Sequence, residues 1–130
     1  GVVICGYSIL ASHCVIEDFC QLNSYSNVGH DSRMEQFATL SLGVHLPGNV
    51  TLKQGSFIGS GVHMVQPRVV GEWSRVGAGA TLIKDVPPNT TVVGNPGRVV
   101  RRREAGWQLD LTKSPSNLNN PLQPTQEPLG

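Results

Sequence analysis

Residues 28–58 read VGHDSRMEQFATLSLGVHLPGNVTLKQGSFI, and every sixth position of that stretch is apolar: Val28, Met34, Leu40, Leu46, Leu52 and Ile58. The register runs on in both directions, through Ile4, Leu10, Ile16 and Leu22 before it and Met64, Val70, Val76 and Leu82 after it. Four residues beyond each apolar position stands a small residue or Val, from Ser8, Cys14, Cys20, Ser26 and Ser32 to Ser74, Ala80 and Val86, and Arg68 alone breaks the rule. The position directly after the apolar one holds Asn23, Gly29, Gly59, Gly71 and Gly77, residue types suited to the left-handed backbone of a tight turn.

A helix repeats near 3.6 residues and a plain strand at 2, and neither produces this register. A six-residue period describes a short strand followed by a turn. Three such hexads close one triangular coil of 18 residues, with the aliphatic side chain inward on each face and the small residue beside it near a corner. Successive coils stack at the inter-strand spacing of about 4.8 Å, so each protects the next. The fourteen hexads of residues 4–87 make fewer than five coils, a prism roughly 20–25 Å tall at that spacing.

Such a prism accounts for a composition of 15 glycines with only 5% aromatic and 15% charged residues among 130. Lys+Arg at 10 against Asp+Glu at 9 gives no bulk attraction to nucleic acid or to an anionic membrane. No apolar run approaches the roughly 20 residues of a membrane-spanning helix. Cys5, Cys14 and Cys20 are odd in number and lack C-x-x-C spacing. They read as buried free thiols in a reducing cytoplasm.

The stretch Val76-Gly-Ala-Gly-Ala-Thr-Leu-Ile-Lys-Asp-Val-Pro-Pro-Asn-Thr-Thr-Val-Val-Gly-Asn-Pro-Gly-Arg98 is similar to the closing signature of the hexapeptide-repeat acyltransferases, with Gly97 where that family usually has Ala. The resemblance covers residues 2–101 and implies an all-β fold, a left-handed parallel β-helix of hexapeptide repeats with an extended C-terminal tail. The left hand comes from the resemblance and departs from the usual right-handed crossover. The expected organisation is a β-helix acyltransferase domain at 1–103, with repeats over 4–87 and the closing signature over 76–98. Residues 104–130 form a Pro/Asn-rich tail expected to be disordered, with a short helix over 104–111.

For the chemistry, positions 18 apart stack, so His30 lies over Ser12 and under Gly48 at a corner, with Asp31 following it. A histidine beside a carboxylate at an exposed turn suits a general base, although a Gly-His-Asp triplet alone reads by default as a surface histidine. A backbone N–H at Gly48 near that base suits an oxyanion-stabilising donor. Residues 26–50 resemble the active-site coil of the branch holding the sialic-acid O-acetyltransferases and the N-acetyltransferases of nucleotide-linked 4-amino sugars. The resemblance implies His30 as catalytic base, Asp31 as its acidic partner and Gly48 as the oxyanion glycine. Thr39 stands where some relatives carry a second histidine, which leaves the acceptor open.

The same resemblance implies acetyl-coenzyme A as co-substrate, no metal, and a homotrimer whose clefts supply the concavity that one flat-faced prism lacks. The pantetheine arm is expected beside Gly48, Ser60 and Ala78. The nucleotide end is expected near Lys84 and the basic cluster that contains Arg98 and Arg102. The expected function is acetyl transfer to an amino or hydroxyl group of a bacterial nucleotide-linked sugar, in the cytoplasm. Two alternatives stand beside it: a non-catalytic β-helix scaffold, and a zinc carbonic anhydrase of the same superfamily. The second would need histidines five residues apart, which are absent. His45 and His63, 18 apart, read instead as stacked surface or interface histidines, and Tyr25 and Trp73 as residues of a subunit boundary. Full proteins of the favoured branch usually open with a βαβ domain, so entry directly on the first coil, with an uncovered sheet end, reads as a C-terminal catalytic domain.

Overall fold

A computed structural model of the chain describes residues 1–109. Nearly every hexad forms a two-residue strand, and the strands pair in parallel with the coil above and below. On the first face the register runs Val3↔Gln21↔Thr39↔Phe57↔Arg75. On the second it runs Ile9↔Asn27↔His45 and resumes as His63↔Thr81. On the third it runs Val15↔Arg33↔Thr51↔Val69. The molecule is a three-sided β-solenoid of stacked parallel coils.

The periodic aliphatics form its axis. Leu22, Met34, Leu40, Leu52, Ile58 and Val76 are wholly buried, each sandwiched by the equivalent residue of adjacent coils. Large side chains in a column of this kind contribute about 2–5 kcal/mol each against truncation to Ala. Ile4 and Leu10 belong to the same columns but stay 46% and 41% exposed, because no described coil lies beneath them. From Cys20 onward the small positions, Arg68 apart, are buried too, and their hydroxyls tie coils together: Ser32 Oγ donates to Pro47 O and accepts from Val50 N, both at 3.1 Å.

The left-handed residues do not directly follow the aliphatic position, as the sequence suggested, but stand three after it. Tyr7, His13, Phe19, Tyr25, Asp31 and Phe37 occupy it with φ of 57–64°, and Gly43, Gly55, Gly61 and Gly79 continue it. Gly29, Gly59 and Gly71 are glycine for a different reason. A Cβ on each would lie 2.4, 2.6 and 2.4 Å from the backbone of the next coil, at Pro47, Ala78 and Pro88 respectively. Backbone there cannot yield, so the requirement is space and not φ.

The fourteenth hexad is also not regular. Val86 bridges Val70 instead of standing over Arg68, and Arg75 and Val76 pair with Thr91 and Val92, so the last coil is two residues short. The corner is shortened where the Asp85 carboxylate accepts the Val69 N–H at 2.9 Å. Asp85 also takes the guanidinium of Arg68 at 3.3 Å, whose Nε donates to Val65 O at 2.8 Å. That turns the one large residue at a small position away from the core.

Thr90–Val93 then pairs antiparallel with Arg98–Arg102 and closes the first face. A single 3-10 turn, Trp107–Leu109, stands in the described part of the expected 104–111 helix. Its Trp107 ring sits 5.5 Å from the Arg75 guanidinium carbon and 4.5 Å from that of Arg103. The rest of the expected disordered tail lies outside the described residues. Among the described residues no helix is long and apolar enough to cross a membrane. Cys5, Cys14 and Cys20 are free, and burial pushes the Cys20 thiol above its ordinary range.

Candidate active site

The edge between the second and third faces carries Ser12, His30, Gly48, Gln66 and Lys84, one from each coil. The Val28↔Leu46 pair and the Asn49 N–H donated to His30 O at 2.9 Å fix the lower part of that column. The Val50↔Arg68 pair and the Val65 N–H donated to Leu82 O at 3.0 Å fix the upper part.

His30 leaves the prism just after the buried Val28, and its ring is half exposed. Asp31 adopts φ 57°, which brings its carboxylate back beside the preceding imidazole: Oδ2 lies 3.0 Å from His30 Nδ1. With the Nδ1 proton donated to that carboxylate, Nε2 is left as the basic nitrogen. Nε2 faces Gly48 so closely that a Cβ built there would lie 2.4 Å from it. Only glycine admits the ring in this position.

The peptide between Pro47 and Gly48 supplies the second element. Pro47 O accepts from the buried Ser32 hydroxyl at 3.1 Å and so points into the prism. In a trans peptide the N–H of Gly48 points the opposite way, toward the imidazole side. Gly48 is buried, and its N–H meets no acceptor among the described residues. A buried backbone N–H without a partner is rare. Here it lies beside a candidate base, as an oxyanion donor would. The small-residue rule at Ser32 was the available signal for this orientation.

The other expected residues divide among separate places. Lys84 and Arg98 line one open cleft of about 560 Å³ at the end of the solenoid, with Ile83, Asp85, Pro87 and Val99. Arg102 lines a different depression of about 370 Å³ with Trp107, so the basic run is not a single patch. Its neighbour Arg103 donates to Thr91 Oγ1 at 2.8 Å, and burial, with Arg101 and Arg75 nearby, lowers the Arg103 pKa. Ser60 and Ala78 stack through the Gly79 N–H donated to Ser60 O at 2.9 Å, but on the edge between the first and second faces. Within one chain they therefore stand on a different edge from Gly48.

Thr39 lies on the first face, between Gln21 and Phe57, also away from His30. His45 and His63 are exposed on the second face. Among the described residues no three His, Cys, Asp or Glu side chains group as metal ligands. Tyr25 stacks on Tyr7 at 5.1 Å and Trp73 on Phe37 at 6.4 Å, forming aromatic columns on the other two edges.

No protein-family profile matches the chain. GDP-perosamine N-acetyltransferase of Escherichia coli O157:H7 is 32% identical over 107 residues, covering 78% of this chain and 48% of that protein. WeeI of Acinetobacter baumannii AYE superposes with a TM-score of 0.59 at 27% identity, over 72% of this chain and 55% of that one. The acetyltransferase domain of PglB from Neisseria gonorrhoeae FA1090, solved in complex with acetyl coenzyme A, superposes with a TM-score of 0.56 at 28% identity. That match covers 75% of this chain and 54% of the other. The chain spans about half or less of the length of the curated relatives it matches. The fold shared with these structures is the left-handed parallel β-helix.

Proposed function

Because this chain belongs to the hexapeptide-repeat acetyltransferase family, we propose that it transfers acetyl from acetyl-coenzyme A to the amino group of a nucleotide-linked sugar. The observation that carries the reading is the meeting of His30 Nε2 with the unpartnered, outward-pointing Gly48 N–H. Nε2 takes the proton of the acceptor amine as its nitrogen attacks the thioester carbonyl. The Gly48 N–H receives the developing oxyanion, and Asp31 holds the ring and the positive charge it acquires. The C–N bond forms, the C–S bond breaks, and His30 returns the proton to the departing thiolate. No covalent enzyme intermediate is needed.

Distance supports the donor. Lys84 stands two coils beyond Gly48, whose N–H meets the thioester carbonyl, about 10 Å at the strand spacing. The pantetheine arm, thirteen bonds from sulfur to phosphorus, extends about 15 Å at peptide-like bond lengths. The arm thus carries the diphosphate past the level of Lys84 and into the cleft that Lys84 lines with Arg98. Ser60 and Ala78 would reach the same arm from a neighbouring prism, which favours a homotrimer with the donor in each cleft. The reaction belongs in the cytoplasm, where free thiols stay reduced.

Similarity to an enzyme named for GDP-perosamine N-acetylation favours an amine over a hydroxyl acceptor. The test is acceptor-dependent release of the coenzyme thiol, with product mass, across nucleotide-linked 4-amino sugars and their 4-hydroxy counterparts. Acetylation of the amino sugars alone is expected. Acetylation of hydroxyl acceptors only would overturn the amine assignment, and no acetylated product from a sample that binds acetyl-coenzyme A would overturn the reading as a whole.

A further inference from the structure

We propose that Gln66 binds the amide of the donor's pantetheine arm that lies nearest the thioester, and so sets the thioester carbonyl at the Gly48 N–H, beside His30 Nε2. The proposal rests on the acetyltransferase reading above. Gln66 stands one coil beyond Gly48 on the catalytic edge, held there by the Val50↔Arg68 pair on one side and the Val65–Leu82 hydrogen bond on the other. It is exposed, and its carboxamide makes no hydrogen bond to any described residue.

The order of groups along this edge is imidazole at His30, bare N–H at Gly48, carboxamide at Gln66 and ammonium at Lys84. The order along a pantetheine thioester is carbonyl, sulfur, two amides and phosphate. The carbonyl, the first amide and the phosphate thus fall in the order of Gly48, Gln66 and Lys84. The first amide nitrogen lies three bonds from sulfur, about 3.5 Å along an extended chain. Gln66 lies one coil, about 4.8 Å, past Gly48. A neutral carboxamide can donate to the arm's C=O and accept from its N–H at once, which neither a carboxylate nor an ammonium can do. Of its neighbours in the chain, Pro67 has no donor and the Arg68 guanidinium is turned to Val65 O and Asp85.

Calorimetric titration separates this role from a structural one. Gln66→Ala is expected to weaken coenzyme A binding about 3- to 10-fold, the range of one or two exchanged hydrogen bonds. Adenosine 3′,5′-bisphosphate, which has the nucleotide end without the arm, is expected to bind the variant as it binds the parent protein. In turnover, the KM for acetyl-coenzyme A should rise by more than kcat falls. Unchanged coenzyme A affinity in Gln66→Ala would remove Gln66 from the site while leaving the acetyltransferase reading intact. Equal weakening of the bisphosphate would assign the residue to the scaffold and overturn the proposal. Failure of the parent protein itself to bind coenzyme A would overturn both.

Discussion

Replacing His30 by alanine is expected to lower acetyl transfer by roughly 10²–10⁴-fold, the contribution of one positioned acid–base group. The fold should not register the change. The His30 ring is half exposed, and its one side-chain partner among the described residues is Asp31, so stability should stay within about 0.5 kcal/mol, as for other surface substitutions. In the proposed pose the donor's phosphates lie at the Lys84 cleft, three coils from His30, so the affinity for coenzyme A should also persist. Steady-state rates combined with a denaturant melt check both halves. Near-normal turnover in His30→Ala would remove the base from the account, and a large loss of stability would mean that the rate loss says nothing about catalysis.

Gly48→Ala should be nearly as damaging, for a different physical reason. The added methyl would lie 2.4 Å from Nε2 and 2.5 Å from Cε1 of His30. The colliding group is an exposed side chain, so the chain can yield by rotating the imidazole outward, and the cost to folding is small. That rotation parts the base from the N–H it works beside, and the methyl crowds the space an oxyanion would fill. Loss of a single oxyanion donor already costs about 10²–10³-fold in kcat. Gly29→Ala is the instructive contrast, because its Cβ would meet Pro47 C at 2.4 Å and Gly48 N at 2.6 Å. There the obstacle is backbone, so stability and activity should fall together. A Gly48→Ala variant that turns over normally would contradict the geometry proposed for the site.

The periodic part of the fold was open to reading because one buried aliphatic per hexad is the dominant free-energy term, and it leaves its mark in the chain at a constant interval. Features set by contacts between distant residues left no such mark. The left-handed corner accepts Tyr, His, Phe, Asp and Trp alike, since paired strands on either side impose its φ. Its location therefore cannot be told from composition. The glycines at 29, 59 and 71 are dictated by backbone of the following coil, which no local pattern describes. The short last coil depends on Asp85 accepting the Val69 N–H, again a contact across coils.

The site divides along the same line. His30 and Gly48 were legible because the interval of 18 places one over the other, and Asp31 because it follows His30; the structure sets the three side by side. The same interval leads on to Gln66 and Lys84, although only Lys84 was singled out in the sequence. Ser60 and Ala78 came from resemblance, and their offset from Gly48 sets them on another edge, so they can meet the donor only across a cleft between prisms. The outward turn of the Gly48 N–H follows from the hydroxyl of Ser32, a residue whose sequence signature is only that it is small.

The most direct measurement is a calorimetric titration of the parent protein with acetyl-coenzyme A, with the oligomeric state recorded on the same sample. The account predicts saturable binding at one donor per chain in a trimer, weakened by Lys84→Ala at the phosphate cleft and left in place by His30→Ala at the thioester. A folded, trimeric sample that takes up no acetyl-coenzyme A would contradict it and leave a β-helix scaffold with an incidental histidine at its edge.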